Sequence, residues 1–349
     1  MSASVASAAR KEPGLLAPGG RRLTYLRLSA IDRCNLRCLY CMPPEGVLKL
    51  GHADILTYEE MLRLAEIFAG LGGEKIRITG GEPLVRRDLT GFIARLGRSG
   101  LFRRIRLTTN GLFLPALAGD LKAAGVEGVN LSLNALTPAV YAVMAGLPAA
   151  EGRDKFRQAW AGFEAALDHG LTVKINCVPI RGLNETEWAP LAALALRYPI
   201  EVRFIEHMPI GRQTIWSAAS CVPSGELLAR LRERLPPLSP LAGPDPHAPA
   251  RLYKPEGAPG AVGFISPMSD HFCGLCNRLR LTADGKLKPC LLTESEINIG
   301  AALRRGAGDD ELRALFQLAA SLKPLRHGRG EGFGSGENRP RRDMSLIGG

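Results

Sequence analysis

The sequence holds no apolar run approaching the roughly 20 residues that a membrane span requires. It also lacks the hydrophobic core of an export signal. Met1 to Gly20 is rich in Ala, Ser, Pro and Gly and reads as a disordered leader, 1–20. A chain with neither feature is expected in the cytoplasm, with no membrane partner. Acidic residues are outnumbered by basic ones, 34 against 45, for a net charge of +11, which favours anionic partners. Aromatics are scarce at 6%, and no basic–aromatic stripe for stacking bases stands out, so nucleic acid is not the expected anion. No Walker A loop is present, so any phosphate has to be held by side chains. Repeats of solenoid length are absent.

What is present is a 349-residue chain with 46% hydrophobic residues, enough for a sizeable core. Strand-like runs fall at Thr24–Ser29, Lys75–Thr79, Ile105–Thr108, Gly128–Leu133, Thr172–Val178 and Glu201–Ile205. Amphipathic helices separate most of them. The clearest starts at Thr57, where Thr57 and Glu60 make a capping box ahead of an apolar stripe of Met61, Leu64, Ala65 and Phe68. Six βα units predict an α/β fold, a partial (β/α)6 TIM-like barrel over 21–235. A Pro-rich loop, 236–259, then leads into a smaller C-terminal region, 236–325, and a basic Gly-rich tail, 326–349, that ends in Gly-Gly.

The eight cysteines are not spread as a disulfide framework. Cys34, Cys38 and Cys41 lie on one loop after the first strand, and Cys273, Cys276 and Cys290 form a second set. Neither triplet has a fourth thiol close by in sequence. Soft thiolates suit iron–sulfur clusters or zinc. A structural zinc wants four ligands, whereas a cubane on three cysteines keeps one iron open. Spacing alone leaves a zinc site completed from elsewhere, or a zinc-stapled nucleic-acid-binding protein, as alternatives. Asp284-Gly285 signals a hairpin that brings Cys290 back beside Cys276. Arg278 and Arg280 share one face of the strand before it, as Lys75 and Arg77 share one face of theirs. Charged inward faces demand an anion or ion pairs. Cys177, Cys221 and His207 fit no motif and read as structural.

The C-x3-C-x2-C loop with Tyr40 between its last two cysteines resembles the signature of radical S-adenosylmethionine (SAM) enzymes. Together with C-x2-C-N-R-L-R-L-T-A-D-G-K-L-x-x-C and the terminal Gly-Gly, it resembles the GTP 3′,8-cyclase family of molybdenum cofactor biosynthesis, from about Leu23 to Gly349. The resemblance implies two [4Fe-4S] clusters, one on Cys34, Cys38 and Cys41 and one on Cys273, Cys276 and Cys290. It implies SAM contacts at Tyr40, Gly81 of the Gly80-Gly81-Glu82-Pro83 turn, Ser132 and Met208. It implies GTP contacts at Arg27, Lys75, Arg77, Thr108, Lys174, Arg278, Leu279 and Arg280, with Gly348 and Gly349 reaching into the active site. The implied reaction is a radical cyclisation of GTP that needs an electron donor. Its product passes to a separate cyclic pyranopterin monophosphate synthase. The enzyme is expected as a monomer or homodimer. A radical SAM peptide-modifying enzyme is a rival, though such enzymes usually carry more C-terminal cysteines.

Overall fold

The computed structural model describes residues 14–212, 215–243, 245–327 and 342–348. β1 (Leu16–Ala17) and β2 (Arg21–Arg22) pair antiparallel. There follow β3 (Tyr25–Ser29), α1 (Tyr58–Gly70), β4 (Lys75–Thr79), α2 (Leu89–Ser99), β5 (Arg104–Thr109) and α3 (Leu114–Ala123). Next come β6 (Val126–Ser132), α4 (Pro138–Ala145), α5 (Ala149–Asp168), β7 (Thr172–Cys177), α6 (Trp188–Arg197) and β8 (Glu201–Ile205). The C-terminal part holds α7 (Ser224–Arg232), β9 (Leu238–Leu241), β10 (Ala250–Pro255) and β11 (Ala261–Ile265). It continues with β12 (Arg278–Leu281), β13 (Lys286–Lys288), β14 (Ile297–Asn298), α8 (Ile299–Arg304) and α9 (Asp309–Ser321).

One twelve-stranded sheet runs β14-β13-β12-β3-β4-β5-β6-β7-β8-β11-β10-β9. Strands β3 to β8 pair in parallel and in chain order, with helices crossing between them, which is the partial (β/α)6 barrel. The C-terminal region extends both edges of it. β11 pairs parallel to β8, and β12 pairs parallel to β3.

Local signals explain the elements. At the start of α1, the Glu60 amide donates to Thr57 Oγ1 at 3.2 Å and the Thr57 amide donates to the Glu60 carboxylate at 2.7 Å. That closes the capping box and satisfies two otherwise orphaned donors. The buried side chains of α1 are Met61, Leu64, Ala65, Ile67 and Phe68, the face turned to the sheet.

Several expectations need correction. The stretch 236–259 is not simply a loop: it contains β9 and β10, paired antiparallel. Pro240 is tolerated because β9 is an edge strand, where a missing N–H breaks no inner ladder. In the segment read as a disordered leader, residues 14–20 are built into the fold, with Leu15 and Ala17 buried under α9. Residues 1–13 lie outside the described residues. α4 was not foreseen, because its sequence PAVYAVMA is apolar throughout, so no polar face marks the helical period even though the buried Tyr141, Ala142, Met144 and Ala145 share one face. Its C-cap, Gly146, sits at φ +64° against the Arg37 carbonyl, so a side chain there collides with the cysteine loop. Cys177 is fully buried as expected, whereas Cys221 is only half-buried, in a bridge with Ile180.

Phe68 ties α1 to α9. It is fully buried, with ring centroids 5.8 Å from Phe316 and 6.5 Å from Phe102. Phe68→Ala is expected to lower the stability of the metal-free protein by about 3–5 kcal/mol, the cost of a large core truncation. Denaturant unfolding followed by circular dichroism reads this directly.

Candidate active site: a cavity between two cysteine triplets

Parallel pairing in register sets the site. At one level of the sheet, Arg280 of β12 stands opposite Arg27 of β3, which stands opposite Arg77 of β4, which stands opposite Arg106 of β5. One level below, the row is Arg278, Tyr25, Lys75 and Arg104. Neighbouring strands are only about 4.8 Å apart, so these rows crowd positive charge. The alternate residues Leu26, Leu28, Ile76, Ile78, Leu279 and Leu281 fill the main core on the opposite side. The cationic side lines a cavity of about 380 Å³ that also takes in Thr108, Asn130, Ser132, Lys174, Asn176 and Arg203.

The topology puts one cysteine triplet at each end of this cavity. Cys34, Cys38 and Cys41 follow the carboxyl end of β3, while Cys276 precedes the amino end of β12, which runs parallel to β3. β13 returns antiparallel through the Gly285 turn (φ +74°) and delivers Cys290 to that same end. All six cysteines line the cavity, with a strand length of roughly 15 Å between the two ends.

The donor sets fit clusters. Burial pushes the Cys34 thiol up to about 11, with Glu82 adding to the rise, and the Cys38 thiol up to about 12, with Cys34 and Glu82 adding to it. The Cys41 thiol is also pushed well up, by burial and by both partner thiols. Three such thiols ionise together only around a cation, which a bound metal centre supplies. Cys276 is held differently. Burial raises it, but Arg278 and Lys323 outweigh burial and bring it down to about 6. Lys323 also braces this end by donating to the carbonyls of Arg278 and Pro289, both at 2.8 Å. Neither triplet gathers its three sulfurs within 4.8 Å of one another. A single metal ion demands such convergence, but a cubane, whose three thiolates sit on three different irons, does not.

Of the predicted SAM-side residues, Tyr40 and Gly81 stand at the first triplet, and Ser132 and Met208 line the cavity with them. Tyr40 accepts from Asn134 Nδ2 at 3.2 Å. The two glycines of the Gly80-Gly81 turn are needed for a reason close at hand. Cβ atoms there would lie 2.5 Å from the Ile31 carbonyl oxygen and 2.4 Å from that of Arg33, so only glycine lets the turn press on the cysteine loop.

Among the predicted substrate residues, Arg27, Lys75, Arg77, Thr108, Lys174, Arg278 and Arg280 all line the cavity. Leu279 is not among the residues that line it: strand alternation turns its side chain into the main core, fully buried. Arg106 is matched by Glu127 at 2.7 Å, and Lys174 and Arg203 share Glu201. Lys75 pairs with Asp245 of the β9–β10 loop at 3.1 Å.

The carboxyl-terminal segment enters the same cavity. Arg342 pairs with Glu296 and Asp284, and Asp343 accepts from the Arg212 amide at 2.7 Å. Ile347 packs with Ile210 and Leu292. The Gly348 carbonyl then accepts from Arg27 Nη2 at 3.1 Å and Arg280 Nη1 at 3.3 Å. Gly348 has φ +76°, and a Cβ there would meet Thr79 Oγ1 at 2.6 Å. Gly349 lies outside the described residues.

Sequence reading missed Tyr25, Arg104, Arg106, Glu201, Arg203 and Lys323. The alternation that singled out Lys75 and Arg77 also marks Arg104 and Arg106, and Glu201 and Arg203. Lys323 has no sequence signal. Glu82 was quoted only as part of its turn. Burial pushes its carboxyl up to about 7, against hydrogen bonds from the amides of Asn110 and Leu84 and the hydroxyl of Thr109.

A parallel α/β barrel with a three-thiol loop at the carboxyl end of its first strand is the architecture of radical SAM proteins. The radical SAM superfamily model matches residues 28–195, and the Molybdenum Cofactor Synthesis C model matches residues 200–329. A GTP 3′,8-cyclase of Pelotomaculum thermopropionicum is 48% identical over 94% of this chain and 98% of its own length. One from Moorella thermoacetica is 46% identical over the same shares. Molybdenum cofactor biosynthesis protein 1 of Mus musculus is 44% identical over 94% of this chain, which spans 50% of it. Among solved structures, Streptococcus suis SuiB bound to S-adenosylmethionine shares the fold at 16% identity and a TM-score of 0.54, over 79% of this chain and 63% of that one. The chain belongs to the GTP 3′,8-cyclase family of radical SAM enzymes.

The cationic rows make Tyr25 a reporter of the site. Burial would raise its phenol, but Arg77, Arg27 and Lys75 hold it down at about 7. The folded value lies below the unfolded 10.0, so ionisation adds stability as the pH rises from about 7 to 10, and Tyr25→Phe lacks that gain. In the metal-free protein, a near-ultraviolet phenolate band absent from Tyr25→Phe is expected to titrate near 7. Tripolyphosphate, by engaging the cations, is expected to move that midpoint upward.

Proposed function

We propose that this protein converts GTP to (8S)-3′,8-cyclo-7,8-dihydroguanosine 5′-triphosphate, the first step of molybdenum cofactor biosynthesis. The observation that carries the proposal is a single cavity with a cysteine triplet at each end and two rows of cations along its wall. Family membership over 94% of the chain supports it. No helix among the described residues is long and apolar enough to cross a membrane, and a cytoplasmic enzyme is the reading we adopt.

Cys34, Cys38 and Cys41 would hold one [4Fe-4S] cluster, which with SAM would supply radical chemistry at C3′ of GTP, and Cys273, Cys276 and Cys290 would hold a second, which would supply Lewis-acid binding for the base. The chain's own residues do the rest. Tyr40, Gly81, Ser132 and Met208 shape the SAM end. Arg27, Lys75, Arg77, Thr108, Lys174, Arg278 and Arg280 take the nucleotide, with bidentate arginines suited to phosphate oxygens. The mutual repulsion within each row is relieved when the triphosphate arrives, so binding energy is concentrated at the wall. The Gly348 carbonyl accepts from both Arg27 and Arg280 and so orients the two guanidinium groups in the cavity wall. An electron donor is required, and the product goes on to a separate cyclic pyranopterin monophosphate synthase.

The test is anaerobic reconstitution with iron and sulfide, followed by SAM and a strong reductant with and without GTP. Expected are GTP-dependent 5′-deoxyadenosine and a nucleotide isomeric with GTP, both lost in Cys34→Ser. Deoxyadenosine formed with GTP untouched would mean a different substrate.

Gly348→Ala is expected to lower kcat by about 100-fold, the scale of a displacement of roughly 1 Å at a site of this kind. Steady-state turnover of the reconstituted variant checks this, with iron content as the control for cluster loading.

A further inference from the structure

We infer that His271, Cys273 and His327 form a binding site for one divalent transition-metal ion, occupied when the second triplet carries no cluster. Among the described residues, this is the one trio of His, Cys, Asp or Glu side chains whose ligand atoms all lie within 4.8 Å of one another. The inference uses Cys273 but neither Cys276 nor Cys290, and it does not depend on the identity of the substrate.

Three features shape the site. His271 and Cys273 stand two residues apart at the entry to the short 3-10 turn Cys273–Leu275, so one bend presents both. His327 comes from the segment after α9, with its ring centroid 4.1 Å from that of His271. Its Nε2 lies 2.9 Å from the Pro267 carbonyl oxygen. A carbonyl only accepts, so that nitrogen carries the proton and the neutral ring keeps its lone pair on Nδ1. A ligating histidine tied through its other nitrogen to a backbone carbonyl is the usual arrangement around a metal. It fixes both tautomer and ring orientation before the ion arrives. His327 is also buried, so its ring is held by the fold.

Two imidazoles and one thiolate are a borderline-soft set that suits Zn²⁺, Co²⁺ or Fe²⁺, with a fourth position left open. An ion held there engages the Cys273 thiolate. A mononuclear metal and a cluster at the second triplet therefore exclude each other.

Cobalt(II) is the probe, added anaerobically to the full chain, purified iron-free and carrying Cys34→Ala, Cys38→Ala and Cys41→Ala so that the first triplet cannot compete. Expected is one Co²⁺ per chain, with a thiolate-to-cobalt charge-transfer band and the intense visible bands of a four-coordinate ion. Further substitution of Cys276→Ala and Cys290→Ala should leave that spectrum in place. His327→Ala or Cys273→Ala should weaken binding by more than about 100-fold, beyond the loss seen for outer-shell partners. X-ray absorption of the cobalt site should report two nitrogens and one sulfur from protein. That measurement needs no variant at the site and stands even if a histidine substitution unfolds the chain. The same titration of protein with the second cluster assembled should show no cobalt uptake. Loss of the spectrum in the Cys276→Ala, Cys290→Ala protein, a coordination shell of three sulfurs, or no binding at stoichiometric concentrations would overturn the inference.

Discussion

Like charges on neighbouring strands repel, and the sheet of this protein holds Arg280, Arg27, Arg77 and Arg106 side by side at one level. Much of the architecture around the cavity answers that constraint. Glu127 meets Arg106, Glu201 meets both Lys174 and Arg203, and Asp245 crosses from the β9–β10 loop to Lys75. At Arg27 and Arg280 the answer is the carbonyl of Gly348. That carbonyl orients both guanidinium groups where β12 meets β3, between the two cysteine triplets, and a cationic wall there suits a polyanion.

The position of β12 is the pivot. Had the C-terminal region packed as a separate lobe, Arg278 and Arg280 would contribute nothing to the barrel wall. Pairing parallel to β3 instead continues the inward-facing rows by one strand and places the second triplet at the end of the barrel away from the first. A buried carboxylate secures the other flank. Glu206, just past β8, accepts from the amides of Ser224, Met268 and Ser269 at 2.8–2.9 Å, joining α7 to the segment that leads into Cys273. A carboxylate so buried is tolerated because its lone pairs are met by several donors. Lys323 does the complementary task with a charge of the other sign, tying the chain after α9 to β12 and to the turn before Cys290.

The carboxyl terminus depends on the same crowding. Its approach is steered by paired charges, Arg342 to Glu296 and Asp284, and Asp343 to Arg212. It is sealed by Ile347 in a small apolar cluster apart from the main core. Only glycine at 348 fits the last step, since both the positive φ and the closeness of Thr79 and Ser29 exclude a side chain.

Much of this was legible in the chain itself. The six βα units, the capping box at Thr57, the two thiol triplets and the inward pairing of Lys75 with Arg77 are local patterns, set by periodicities of 2 and 3.6 and by short spacings. Those patterns point to the barrel class, to two sets of metal-binding thiols and to the need for an anion or ion pairs. Local pattern could not say which strands become neighbours. That β12 pairs with β3, that β9 and β10 form from a Pro-rich stretch, that Lys323 and His327 return to the second triplet, and that Leu279 faces the core while its neighbours face the cavity were all decided by tertiary pairing. The reason is physical: register between distant strands is settled by burying one apolar face and matching backbone donors across a gap of hundreds of residues, and no short window of sequence contains both partners.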